Sequence, residues 1–352
     1  MPKLSFRFPD EERAIIWRYL DGVSQALARR FDGGSRPVEE NLTFLLCELL
    51  DEGTTGLHLL EYPLTKAKED LARADGGLTL DVSFQTHEHT KHVEHHFSGA
   101  DLGVVFVVEH PYFGRSEKAV LLQAKKLFPG PADRFTLDSF FKSFHSDQRE
   151  LLKKIQRRFS ADNSIFYLWY APASRAFSDD EAKIIRSMEA IDMGWHPYLD
   201  ELIEFRGLGY RGRRVLNPPA PEDDERERAW RIGQPATRVS SLPVVDELTR
   251  AGRGPSINSL YKARSRHRPW RWFAFEPFAE LFLFALQSDQ IGNSSNRWLQ
   301  LARGEKVAMP PEDADADEGA PDLPEVAPAP KHSITFTLRS SLPWPEGLYR
   351  SE

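Results

Sequence analysis

The chain has 352 residues, 40% hydrophobic and 28% charged, enough to bury one good core and a second, smaller one, so two domains are the starting expectation. A single cysteine, Cys47, excludes a disulfide framework and fits a reduced, cytoplasmic setting. The formal charge of −7 argues against a nucleic-acid partner in bulk, but much of the acid is concentrated in Glu222 to Glu227 and Glu312 to Glu325, which read as solvated linkers.

Along the chain, Ile15, Ile16, Tyr19, Leu20, Val23 and Leu27 recur at helical spacing and predict an amphipathic helix over 10–30, ended by Asp32-Gly33-Gly34. The opening residues alternate charged and apolar groups, without the basic start and apolar middle of an export leader. A second helix is predicted from about Pro37 to Asp51, with the stripe Leu42, Leu45, Leu46, Leu49 and Leu50. A polar, irregular stretch is expected next, then strands over 78–85, 102–108 and 119–124. The middle one, Leu-Gly-Val-Val-Phe-Val-Val, reads as a central strand covered on both faces. A helix over 137–159 and a buried strand over 165–170 follow. This order predicts an α/β sandwich with a mixed sheet. Further on come a helix over 179–190, a proline-rich acidic linker at 218–227, and a mostly helical, aromatic-rich segment over 242–301. The run Phe273 to Leu286 is shorter than a bilayer span and carries Glu276 and Glu280, so no membrane partner is expected. Residues 310–331 have the composition of disorder, and a last strand over 334–338 is expected to fold back onto the body.

The chemistry gathers around the central strand. Asp101 stands at its mouth, and Gln123-Ala124-Lys125 closes the next strand. If the two strands are hairpin neighbours, alternation puts Gln123 and Lys125 on one face, and all three polar groups converge at one sheet end. Phosphodiester hydrolysis needs such a set: oxygen ligands for a hard divalent ion, and a cation for the charge that develops on the phosphate. A plain ion pair between Asp101 and Lys125 is the competing interpretation.

The arrangement Gly99-Ala100-Asp101, an apolar strand, then Gln123-Ala124-Lys125 resembles the PD-(D/E)XK, or restriction-endonuclease-like, nuclease superfamily, in its QxK, Mrr-type branch. Alanine stands where the family name has proline, and glutamine replaces the acidic ligand, which removes one negative charge. The resemblance implies an αβββαβ core over about 37–172 and a Mg²⁺-dependent (or Mn²⁺-dependent) endonuclease acting on DNA, often in bacterial defence against foreign DNA. It implies Asp101, Gln123, Glu40 and the Ala124 carbonyl around the metal, and Lys125 positioning the nucleophile. Glu40 lies off the leucine stripe of the second helix; helix-dipole stabilisation explains it equally well, and Glu48 is the rival ligand. Gln148 occupies the helix after the motif, where similar proteins carry a glutamine facing the site, although a solvated helix face accounts for it too.

The resulting domain reading is an N-terminal helical extension over 1–34, the nuclease-like core over 35–175, a mainly helical accessory region over 176–305, and an acidic linker with a terminal strand over 306–352. Candidate nucleic-acid contacts are Lys153, Lys154 and Arg157 on the helix after the motif, and the basic, aromatic cluster Lys262, Arg264, Arg266, Arg268 and Trp270. His87, His89, His92, His95 and His96 crowd together, but their spacing fits no closed zinc motif, and a solvated hairpin is expected there. A protein partner such as a helicase or sensor subunit, and an oligomer, are compatible with the family. The rival function is a catalytically silent nuclease fold serving as an assembly subunit, and a third is cleavage of RNA.

Overall fold

The computed structural model describes residues 4–6, 8–30, 37–51, 59–74, 76–87, 100–111, 114–130, 134–136, 139, 146–161, 164–172, 176, 178–180, 240–243, 276–287, 292–311, 325–341 and 349–351. Among the described residues the chain is a mixed α/β protein built on a seven-stranded sheet with helices on both faces. In chain order the elements are β1 (Leu4–Phe6), α1 (Asp10–Arg29), α2 (Glu39–Leu50), α3 (Leu64–Arg73), β2 (Leu78–Thr86), β3 (Leu102–His110), β4 (Gly114–Lys126), α4 (Ser146–Arg158), β5 (Ile165–Tyr170), β6 (Ser240–Pro243), β7 (Glu276–Pro277), α5 (Phe278–Gln287), α6 (Asn296–Ala302), β8 (Val307–Ala308), β9 (Val326–Ala327), β10 (His332–Ser340) and β11 (Tyr349–Ser351).

The expected central strand is central. Every side chain of β3 except Glu109 is buried, because both faces are covered. Leu102, Val104, Phe106 and Val108 join a core under α1, α2, α3 and α5, while Val105 and Val107 join a second core under α4 and α6. Gly103 is where α6 comes closest: a Cβ there would lie 2.0 Å from the carbonyl oxygen of Ala302. β3 and β4 form an antiparallel hairpin, and β4 runs parallel to β5 after the α4 crossover.

The sheet order is β2-β10-β3-β4-β5-β6-β7. The last strand does fold back onto the body, and it lies inside the sheet, between β2 and β3, antiparallel to the first and parallel to the second. Ile334, Phe336 and Leu338 enter the larger core, so the fold's centre is not confined to 35–175. α1 belongs to it as well, through the buried Ile16, Tyr19, Leu20, Val23 and Leu27. The segment after 240 is not wholly helical, since β6 and β7 extend the sheet beyond β5. α3 falls in the stretch expected to be irregular; it buries only Leu64, Ala67 and Leu71, a stripe thin enough to pass for a polar loop. Within the stretch with a disordered composition, β9 pairs with β8, which lies just before it. Of the helix expected over 179–190, only 179–180 lie within the described residues, as helix. The linker at 218–227 lies outside them.

Among the described residues, no helix is long and apolar enough to cross a membrane.

Candidate active site

β4 outruns β3 at one end of the sheet, and the site is built on the overhang. The backbone N–H of Asp101 donates to the carbonyl of Leu122 at 2.9 Å, and there the regular ladder between the two strands stops. Two more N–H groups of β4 would face this gap without partners, a costly arrangement for buried backbone. Two carboxylates fill the place of the missing strand. Oδ2 of Asp101 accepts from the Ala124 N–H at 2.8 Å, and Oε2 of Glu39, in the first turn of α2, accepts from the Lys126 N–H at 3.0 Å. The Lys126 ammonium reaches the carbonyl of Pro37 at 2.7 Å and ties the start of α2 to the same strand end.

Gln123 and Lys125 share the opposite side of the strand from Ala124, as alternation requires. Both are buried, at 2% and 3% exposure. Nε2 of Gln123 donates to Oδ2 of Asp101 in a short contact and to the Ala124 carbonyl at 3.4 Å. Its Oε1 accepts from Nε2 of Gln148 at 3.1 Å, and Oε1 of Gln148 accepts from Lys125 Nζ at 3.2 Å. Lys125 Nζ also stands 3.9 Å from Oε1 of Glu39. Asp101, Gln123 and Lys125 are therefore brought together as expected, and Gln148 joins them from α4.

Burial pushes the Asp101 carboxyl above the ordinary carboxylate range, against the pull of the Lys125 ammonium and the Ala124 N–H. Glu39 is pushed up to about 7, chiefly by burial, with Lys125 lowering it and Asp101 raising it. Two carboxyls thus sit close enough to perturb each other beside one buried ammonium, a pattern frequent at functional sites.

Glu40 is placed differently from the expectation. Its carboxylate pairs with Lys331 at 2.8 Å, and its side chain is 67% exposed. The glutamate beside Lys125 is its neighbour, Glu39. The reason is helical phase: Glu39 shares a face with the buried Leu42, Thr43 and Leu46, whereas Glu40 shares one with Phe44, which is 42% exposed. A position off the apolar stripe points away from the sheet, so the acid on the stripe was the one to pick. Glu48 lies more than two turns further along α2, and no hydrogen bond or ion pair joins it to the site among the described residues.

On α4, Leu152 and Ile155 are buried, while Lys153 and Lys154 are partly exposed and Arg157 is exposed. His87 bonds the hydroxyl of Ser333 through Nε2 at 2.9 Å; His89, His92, His95 and His96 lie outside the described residues, as do Lys262, Arg264, Arg266, Arg268 and Trp270.

No group of three or more His, Cys, Asp or Glu side chains able to hold a metal ion occurs among the described residues. A cation at the β4 overhang would therefore rest on one carboxylate, Asp101, and the neutral Ala124 carbonyl, with Glu39 close by; Gln123 would add its oxygen only with its amide turned over, since Oε1 faces Gln148. That donor set is all oxygen and suits a hard ion such as Mg²⁺. The fit has a local indicator: the Gln123 amide nitrogen, a partial positive charge, spans Asp101 Oδ2 and the Ala124 carbonyl, so two oxygens already converge on one electropositive group.

No family model matches the chain, and neither a curated protein nor a solved structure matches it.

Proposed function

We propose that the chain is a Mg²⁺-dependent endonuclease that hydrolyses DNA phosphodiester bonds, with a restriction-endonuclease-like core carried by α2, β2, β3, β4, α4 and β5. The observation that carries this reading is the convergence of Asp101 Oδ2 and the Ala124 carbonyl on one electropositive group, next to a lysine that is 3% exposed. Asp101, Ala124 and Gln123 would hold the ion, with Glu39 in place of Glu40 as the assisting carboxylate. When bound, Mg²⁺ supplies Lewis acidity toward the phosphate and lowers the pKa of an attacking water. The Lys125 ammonium stabilises negative charge gathering on the phosphoryl oxygens, and its burial strengthens that interaction. Glu39, with its carboxyl near neutrality, can hold or release a proton 3.9 Å from the same ammonium. The partly exposed Lys153 and Lys154 and the exposed Arg157 of α4 offer phosphate contacts on the side of the sheet that Gln148 approaches. Defence against foreign DNA, and a helicase or sensor partner, rest on the family resemblance alone.

A catalytically silent assembly subunit is the second reading. It is favoured by the neutral Gln123 and by the absence, among the described residues, of a cluster of three acidic, His or Cys ligands. Incubating the purified protein with supercoiled plasmid and Mg²⁺ or Mn²⁺ separates the two. Nicking or linearisation that is lost in Asp101→Ala and Lys125→Ala supports the nuclease. Cleavage that survives both substitutions removes this site from the reaction, and no cleavage with either ion favours the silent subunit. Single-stranded RNA digested in parallel tests the substrate class.

A further inference from the structure

Between Lys125 and Asp101 runs a chain of hydrogen bonds that has only one direction. Lys125 donates to Oε1 of Gln148, Nε2 of Gln148 donates to Oε1 of Gln123, and Nε2 of Gln123 donates to Asp101 and to the Ala124 carbonyl. The ends dictate the middle. An ammonium cannot accept, and Asp101 Oδ2 already accepts from Gln123 and the Ala124 N–H, so neither amide can turn over alone without setting two donors face to face. Gln123 and Lys125 are buried, and a mismatch there is expensive because bulk water does not repair it.

Resting on the cation-site reading above, we propose that Gln148 is a positioning residue that couples loading of the cation to release of Lys125. For Gln123 to offer Oε1 instead of Nε2 between Asp101 and Ala124, its amide turns over and presents N–H groups to Gln148. Gln148 must then turn as well, and its own N–H groups meet the Lys125 ammonium. Lys125 leaves Gln148 and moves toward Glu39, its neighbour at 3.9 Å. While the amide nitrogen fills the oxygen corner, the lysine is held on Gln148; once the amide oxygen faces that corner, the lysine is turned toward Glu39. No bond is made or broken in this rearrangement, and no proton changes owner.

The test uses the full chain without nucleic acid and reads Mn²⁺ affinity by electron paramagnetic resonance. Gln148→Met keeps the volume but removes the amide that must turn, so Mn²⁺ binds about fivefold more tightly, the scale of one exchanged hydrogen bond. In a Lys125→Met background the same substitution changes the affinity by less than about twofold, because no ammonium opposes the turn. In the wild type, the side-chain amide resonances of Gln123 and Gln148 shift together when Mg²⁺ is added. Suppose Mn²⁺ binds the wild type at a site lost in Asp101→Asn, yet Gln148→Met binds no more tightly, or has the same effect in both backgrounds. The coupling is then overturned and the cation site stands. If no Asp101-dependent Mn²⁺ binding is found, both fail.

Discussion

The two ends of β3 carry charge in opposite ways. At its far end, Lys68, Asp81, Arg339, Glu109, Arg115, Glu117 and Arg303 form an unbroken row of alternating sign across α3, β2, β10, β3, β4 and the end of α6. Each is partly or well exposed, and each acid has a cation on both sides. Roughly 26 Å away, at about 3.3 Å per strand residue, Asp101 and Glu39 lie beside one buried ammonium; each accepts a backbone N–H, and Asp101 accepts the Gln123 amide as well. The pKa directions record the difference: Asp81 and Glu117 are held below the ordinary carboxylate range by their cationic partners, whereas Asp101 and Glu39 are raised by burial. Exposed, doubly paired charge contributes little and is screened by salt, whereas desolvated carboxyls beside one cation are a pattern frequent at functional sites.

β10 spans both ends, with Lys331 just before it on the site side and Arg339 near its far end, so the comparison breaks most completely if β10 is loosened. Phe336, 1% exposed, packs on Phe106 and Phe282, and Phe336→Ala is expected to cost about 3–5 kcal/mol of stability in urea unfolding. A loss below about 1 kcal/mol would mean that β10 is not a core strand.

Glu39 sets the buried end apart through its pH dependence. Its folded pKa of about 7 lies above the unfolded value of 4.5, so the folded state binds the extra proton between them. Its contribution to stability therefore falls as pH rises from about 4.5 to about 7 and is flat above that. With chelator present, Glu39→Gln should stabilise the protein at pH 8 by on the order of 2 kcal/mol, allowing for its partial exposure, and the gain should vanish near pH 4.5. A pH-independent difference in thermal midpoint would contradict the shift. Glu40→Gln, at an exposed pair, should leave that profile unchanged.

The smallest effect is expected at the far end. Arg339→Ala removes two ion pairs with partners 40% and 31% exposed, and the loss should stay near 1 kcal/mol or below and shrink in high salt. A larger, salt-insensitive loss would place that row on the buried side of the comparison.

Much of the sheet was legible because its strands announce themselves locally. The all-apolar run at 102–108 has to be covered on both faces, and the hexapeptide at 165–170 is buried throughout. The place of β10 was not legible: Ser-Ile-Thr-Phe-Thr-Leu reads as a half-buried strand, and nothing local says that its partners lie more than 200 residues upstream. The site was half legible. Alternation along β4 places Gln123 and Lys125 together, but choosing between adjacent glutamates depends on the phase of α2, where Glu39 falls one turn before the buried Leu42 and Thr43. Gln148 carried no signal apart from the family resemblance, since its partners come from another element.

One assay sets the two ends side by side. Lys125→Ala and Arg339→Ala each delete a single cation from the same sheet, and both proteins can be matched for folded fraction before Mg²⁺-dependent cleavage of supercoiled plasmid is timed. The buried-site account predicts cleavage slowed by about a hundredfold or more in Lys125→Ala and near wild-type rates in Arg339→Ala. Equal rates in the two variants would contradict it.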